Sequence, residues 1–116
     1  MREVEIVLGP RSGGRFVKTL QTGYYPEPVD TAAVRTHWRA DGYSCHAMTD
    51  RPGQQWNDFT HATNEYLTVV EGRLRLILGD EEVEAGPGDL VFIPRQVPHS
   101  VHNISEGETT WMFGYD

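Results

Sequence analysis

The sequence predicts an all-β domain, a barrel or sandwich of short antiparallel strands. Three observations carry that expectation. Apolar residues alternate with polar ones in brief runs; clusters of Gly, Pro, Asn and Asp separate the runs at regular spacing; and no stretch sustains a convincing helical period. Roughly nine or ten strands follow from that spacing.

The elements justify themselves in order. Val4, Ile6 and Leu8 share one strand face and Glu3 and Glu5 the other, until Gly9-Pro10 and Ser12-Gly13-Gly14 break the pattern. Arg15 to Leu20 reads as a short strand. Gly23 to Pro28 reads as a surface loop, because its prolines remove backbone donors and bias their predecessors towards extended backbone. Thr31 to Arg39 is the one stretch with helical character, through Ala32, Ala33 and Val34; its short length and β-branched residues make a strand the expected state.

Tyr43 to Thr49 is the next strand, closed by the turn Asp50 to Gly53. Asn64 to Val70 is rich in β-formers and turns at Glu71-Gly72. Leu74, Leu76 and Leu78 then alternate with Arg73, Arg75 and Ile77, and Gly79-Asp80 joins that run to Glu81 to Ala85 as a tight hairpin. Gly86 to Asp89 is a further turn. Leu90 to Ile93 is apolar on both faces, as a buried strand is, and Pro94 to Pro98 is a loop. His99 to Ile104 and Thr109 to Tyr115 complete the set.

Composition bounds the function. The 116 residues suit one domain, with 38% hydrophobic and 23% charged residues, as in ordinary globular proteins. Asp and Glu number 17 against 10 Lys and Arg, a formal charge of -7, which repels phosphate backbones and argues against a nucleic-acid partner. No apolar run approaches the ~20 residues of a membrane span, and the first residues lack the pattern of a signal peptide. The single Cys45 excludes an intramolecular disulfide, so a cytoplasmic location is expected and Cys45 itself is a small core residue.

Chemistry concentrates between Phe59 and Gly72. His61 precedes Glu65 by four residues, and a second imidazole, His99, lies far downstream. Imidazole and carboxylate are ligands for zinc and first-row transition metals, and a buried Glu65 would be costly unless it were paired or metal-bound. Inward faces of separate strands can bring all three together.

The spacing of these residues resembles the two motifs of the cupin superfamily, in its small single-domain, RmlC-like form. The first motif, Gly-x5-His-x-His-x3-Glu-x6-Gly, is met by Gly53, His61, Glu65 and Gly72, with Phe59 where the first histidine would stand. The second, Gly-x5-Pro-x-Gly-x2-His-x3-Asn, is met by Gly88, Pro94, His99 and Asn103, with Gln96 in place of a glycine. The resemblance implies an antiparallel double-stranded β-helix, or jelly roll, covering residues 1–116 as one cupin domain. It implies a divalent metal, iron, zinc, nickel or manganese, held by His61, Glu65 and His99.

Phe59 cannot ligate, so three ligands remain where such cupins have four. Asp58 should face the other way, and His46 is a candidate substitute from the preceding strand. Phe59, Trp56, Met48 and His46 are the candidates to line the pocket, with core packing the alternative for Met48 and Tyr43. His37, His46 and His102 read otherwise as ordinary part-exposed residues, Asn103 as a structural turn residue, and Tyr66 as facing outward. Trp111, Phe113 and Tyr115 share one face, for the core or a subunit contact. Arg75 or Arg95 could make the pocket positive.

Two functions are open. One is an enzyme acting on a small organic acid, enol or thiol, as a dioxygenase or else an isomerase or lyase. The other is a non-catalytic, ligand-binding or regulatory cupin whose three polar residues form a hydrogen-bonded cluster without metal. A homodimer is expected, paired through the edge strand Val4 to Leu8.

Overall fold

The structure, a computed structural model, describes residues 5–7 and 16–116. Among these are eleven strands and one helix: β1 (Glu5–Val7), β2 (Phe16–Lys18), β3 (Leu20–Gln21), α1 (Thr31–Ala40), β4 (His46–Asp50), β5 (Gln55–Phe59), β6 (Glu65–Glu71), β7 (Leu74–Leu78), β8 (Glu81–Ala85), β9 (Leu90–Ile93), β10 (His99–Asn103) and β11 (Thr109–Tyr115). Every strand pair between these elements is antiparallel. A four-stranded sheet runs β5-β10-β7-β8 and a five-stranded sheet runs β3-β9-β6-β11-β4, while β1 pairs with β2. The fold is a double-stranded β-helix.

The two larger sheets share one core. Leu74, Leu76 and Leu78 of β7 meet Leu67 and Val69 of β6, Val91 and Ile93 of β9, and Trp111 of β11, all at 5% exposure or less. The alternation of Leu with Arg75 and Ile77 therefore sets the inward face, as its period of two requires. Burying a Leu of this kind stabilises the fold by about 1.5–3 kcal/mol.

The segment Thr31 to Ala40 corrects the strand expectation, for it is a helix. Asp30 caps it, its carboxylate accepting from the backbone N–H groups of Ala32 at 3.0 Å and Ala33 at 3.4 Å. Val34 and Trp38, one turn apart, are fully buried. They pack with Leu90 and Met112 on the outer face of the five-stranded sheet, joined by Tyr25, Tyr43, Cys45 and Tyr66. Strand propensity loses here to a cap and an i, i+4 apolar pair. The segment that follows the helix presses on Gly114, where any Cβ would collide with the Ser44 carbonyl and crowd Trp38.

Several boundaries also shift. Val4, Leu8, the break at 9–14 and Arg15 lie outside the described residues, and the remaining Glu5–Val7 pairs with Phe16–Lys18. The run Arg15 to Leu20 divides into β2 and β3. Gly23 to Pro28 is a loop, yet Tyr25 is buried beneath α1 and its hydroxyl accepts from Trp38 Nε1 at 2.8 Å. Strand β5, hidden in sequence by its polar residues, pairs with β10. Among the described residues, no helix is long and apolar enough to cross a membrane.

Candidate metal centre

Three elements deliver His61, Glu65 and His99 to one point. Glu65 opens β6 and faces inward beside Ile93 and Tyr115 in the sheet register. His99 opens β10 in the opposite sheet, next to Leu78. His61 lies on the turn after β5, not on the inward face of a strand. One donor atom from each of the three lies within 4.8 Å of the others.

The hydrogen bonds fix the rings. His61 Nδ1–H donates to the Thr63 carbonyl at 3.1 Å, and His99 Nδ1–H donates to the Val97 carbonyl at 3.0 Å. A carbonyl only accepts, so each ring carries its proton on Nδ1 and turns Nε2 inward. His61 Nε2 lies 3.0 Å and His99 Nε2 3.4 Å from the same oxygen, Glu65 Oε1. Backbone carbonyls at Nδ1 are the usual outer partners of metal-binding imidazoles. The donor set therefore fits a divalent metal.

His99 responds to the carboxylate. Burial alone would pull its pKa down, but the hydrogen bond to Glu65, the Val97 carbonyl and the Glu65 charge outweigh burial, and the net effect is a raised value. Tyr115 is raised too, first by burial and then by the Glu65 charge, so its phenol stays protonated. Its ring meets His61 edge-on at 4.9 Å.

The cluster opens onto a cavity of about 240 Å³. Of the expected lining residues, Met48, Trp56 and Phe59 are there, with Phe59 45% exposed and its ring 6.4 Å from that of His99. His46 is not. It is exposed and lies against Phe113 at 5.3 Å, outside both cavity and cluster, because it precedes Met48 by two residues at the outer end of an edge strand. Arg75 and Arg95 also stay away, paired with Glu82 at 3.6 Å and Asp116 at 3.7 Å respectively.

Trp56 and Phe59 both reach the cavity although they are three residues apart. Strict alternation would place them on opposite faces. Asp58 between them has φ +60°, the register with β10 slips between His99 and Val101, and the freed Asp58 N–H donates to Ser100 Oγ at 3.0 Å. This is a β-bulge. It turns Phe59 inward, and no local motif announces it.

Sequence reasoning missed Asp50 and did not foresee the cavity role of the β11 aromatics. Trp111, Phe113 and Tyr115, grouped correctly on one face, line the cavity as well as touching the core. Asp50 is 3% exposed, and its Oδ2 accepts from Trp56 Nε1 at 3.0 Å and Trp111 Nε1 at 2.9 Å. The only sequence signal was a carboxylate at the end of a strand between tryptophans. Asn103 is structural, as expected: its Nδ2 donates to the Arg51 carbonyl at 2.9 Å and its Oδ1 accepts from Thr109 Oγ1 at 2.7 Å. Tyr66 faces away from the cavity, and its hydroxyl donates to Asp41 at 2.8 Å.

Residues 46–115 match the family described as the cupin domain. An uncharacterised protein of Streptomyces coelicolor is 39% identical over 46 residues, 40% of this chain and 44% of that one, so the match spans less than half of the relative's length. An RmlC-like cupin family protein with a double-stranded β-helix fold, from Methanocaldococcus jannaschii, superposes with TM-score 0.58 at 18% identity, over 63% of this chain and 68% of that one. A polyketide cyclase of Streptomyces resistomycificus does so with TM-score 0.57 at 24% identity, over 63% and 53%. Likeness at these identities speaks to fold, not to reaction.

Proposed function

The chain belongs to the cupin domain family, and from that premise we propose that it is a metal-dependent enzyme for a small organic substrate, with His61, Glu65 and His99 as ligands. One observation carries the reading. Both imidazoles commit Nδ1 to a backbone carbonyl and aim Nε2 at one buried carboxylate oxygen. Two imidazoles and a carboxylate suit non-haem iron or catalytic zinc and leave coordination positions for substrate.

When bound, the metal supplies either Lewis-acid polarisation of an oxygen or, if redox-active, dioxygen chemistry of the dioxygenase kind. The chain's own groups do the rest. His61 and His99 offer lone pairs in a fixed tautomer, and the Glu65 charge draws a cation into a site otherwise walled by apolar side chains. Tyr115, protonated and beside Glu65, offers a proton or hydrogen bond to a substrate oxygen. The mostly apolar, aromatic lining suits isomerisation or lyase chemistry as well as oxygenation.

A second reading has its own support in Phe59, which holds the first histidine's place in the motif spacing and cannot ligate. On that reading the barrel binds a small ligand without turning it over. Elemental analysis of untagged protein, wild type beside His61→Ala, separates the two. Near-stoichiometric iron, zinc, nickel or manganese that disappears in the variant supports the enzyme; neither protein holding metal after reconstitution sinks it.

A further inference from the structure

The cavity has a long axis and two kinds of end. Along β11 the residues Trp111, Phe113 and Tyr115 run from the Asp50 end to the Glu65 end, a rise of about 13 Å for four residues. On the facing sheet, β5 repeats the order, with Trp56 level with Val101 and Phe59 level with His99. The polar cluster therefore occupies one end and the two indoles the other. The walls between them come from different sheets and are aromatic on both sides.

Asp50 determines what those walls present. Its one oxygen Oδ2 takes the N–H of Trp56 from one sheet and that of Trp111 from the other. Both indole donors are thereby consumed, leaving carbon surface to face the cavity. Among the described residues outside the cluster, Tyr115 is the one side chain in the lining with a free hydroxyl or other polar group. A ligand with polar groups along its body would lose hydrogen bonds to water and gain none there. One with a flat apolar body and a single polar head loses nothing.

We infer that the cavity takes a planar aromatic molecule bearing one anionic oxygen group, its ring slotted between the β5 and β11 walls and its oxygen at His61, Glu65 and His99. This rests on the metal-centre reading for the head group only; the ring preference resides in the walls. The size agrees, since a cavity of about 150 Å³ already accepts benzene and this one is about 240 Å³. Flat rings also gain from the offset and edge-on contacts of aromatic pairs, which a puckered saturated ring does not.

The test compares benzoate, cyclohexanecarboxylate and acetate by calorimetric titration of the full chain, with zinc and without. The two larger acids share a head group and differ in the ring, so their ratio isolates the wall. Benzoate should bind about 3- to 10-fold more tightly than cyclohexanecarboxylate in both states, and acetate should be weakest. Trp56→Leu, and Phe59→Leu at the exposed rim, should each move that ratio towards one while leaving zinc content unchanged. A ratio of one or below in the wild type overturns the inference, as does a ratio that neither substitution moves. Zinc content measured on the same samples keeps the failures apart: no zinc taken up defeats the metal reading, while the benzoate ratio still decides the ring.

Discussion

His99 and Glu65, from opposite sheets, meet at 3.4 Å in a site where each is at most 5% exposed. A carboxylate and an imidazole so placed are each costly alone. Removing either should therefore abolish the function of both. His99→Ala and Glu65→Ala should each lose most of the bound metal while circular dichroism still reports a folded barrel. Full occupancy in both variants would end the assignment.

The raised pKa of His99 gives the metal-free protein a definite pH dependence. A group whose folded value exceeds its unfolded one adds stability below the unfolded pKa, about 6.5, and loses that contribution as pH rises through the folded value. Melting temperature of the metal-free protein should fall across that window. Added zinc should reverse the trend, since metal competes with the proton and binds better as pH rises. Parallel melting scans with zinc and with chelator check both signs; a flat metal-free profile would refute the coupling.

Phe59→His restores an imidazole at the rim, where the ring now stands 6.4 Å from His99. Zinc affinity should rise by at least tenfold, and competition against a chromophoric chelator measures it. Unchanged affinity would mean that the position does not reach the cluster.

Asp50→Ala leaves two indole N–H groups without their acceptor. The expected cost is about 1–3 kcal/mol for each one that stays buried. Denaturant unfolding gives the energy, and a changed tryptophan emission maximum reports the altered surroundings of Trp56 and Trp111. Wild-type stability with unaltered emission would show that the carboxylate holds neither ring.

Asp30→Ala and Trp38→Ala test the helix on the outer face. The cap should be worth about 1 kcal/mol and the buried indole about 3–5 kcal/mol. Since α1 lies across the sheet from the cavity, metal content should be untouched at temperatures where the variants remain folded.

The two-sheet architecture was legible because alternation along Leu74 to Leu78 and along Thr109 to Tyr115 is enforced by burial of one face. His61, Glu65 and His99 were legible because their spacing is set by the same turns. What escaped has a common cause: it depends on partners distant in sequence. Strand β5 is polar and is held by β10; Asp58 bends it only in that register; Asp50 joins indoles from opposite sheets. The helix is the exception, since Asp30 and the Val34–Trp38 spacing announce it locally and outweigh the β-propensity of its branched residues.

Covering the five-stranded sheet with α1 has a bearing on how the three donors respond to different ions. Strand β6 is packed on both faces, by the core beneath and by Tyr66 against Trp38 above, so Glu65 sits on a rigid support. His99 is held equally in β10 between two neighbours. His61 rides a turn. On the metal reading, an ion of larger radius would draw on that turn rather than on either strand, and discrimination among metals would fall to residues 60–64 and to the Thr63 carbonyl that anchors the ring.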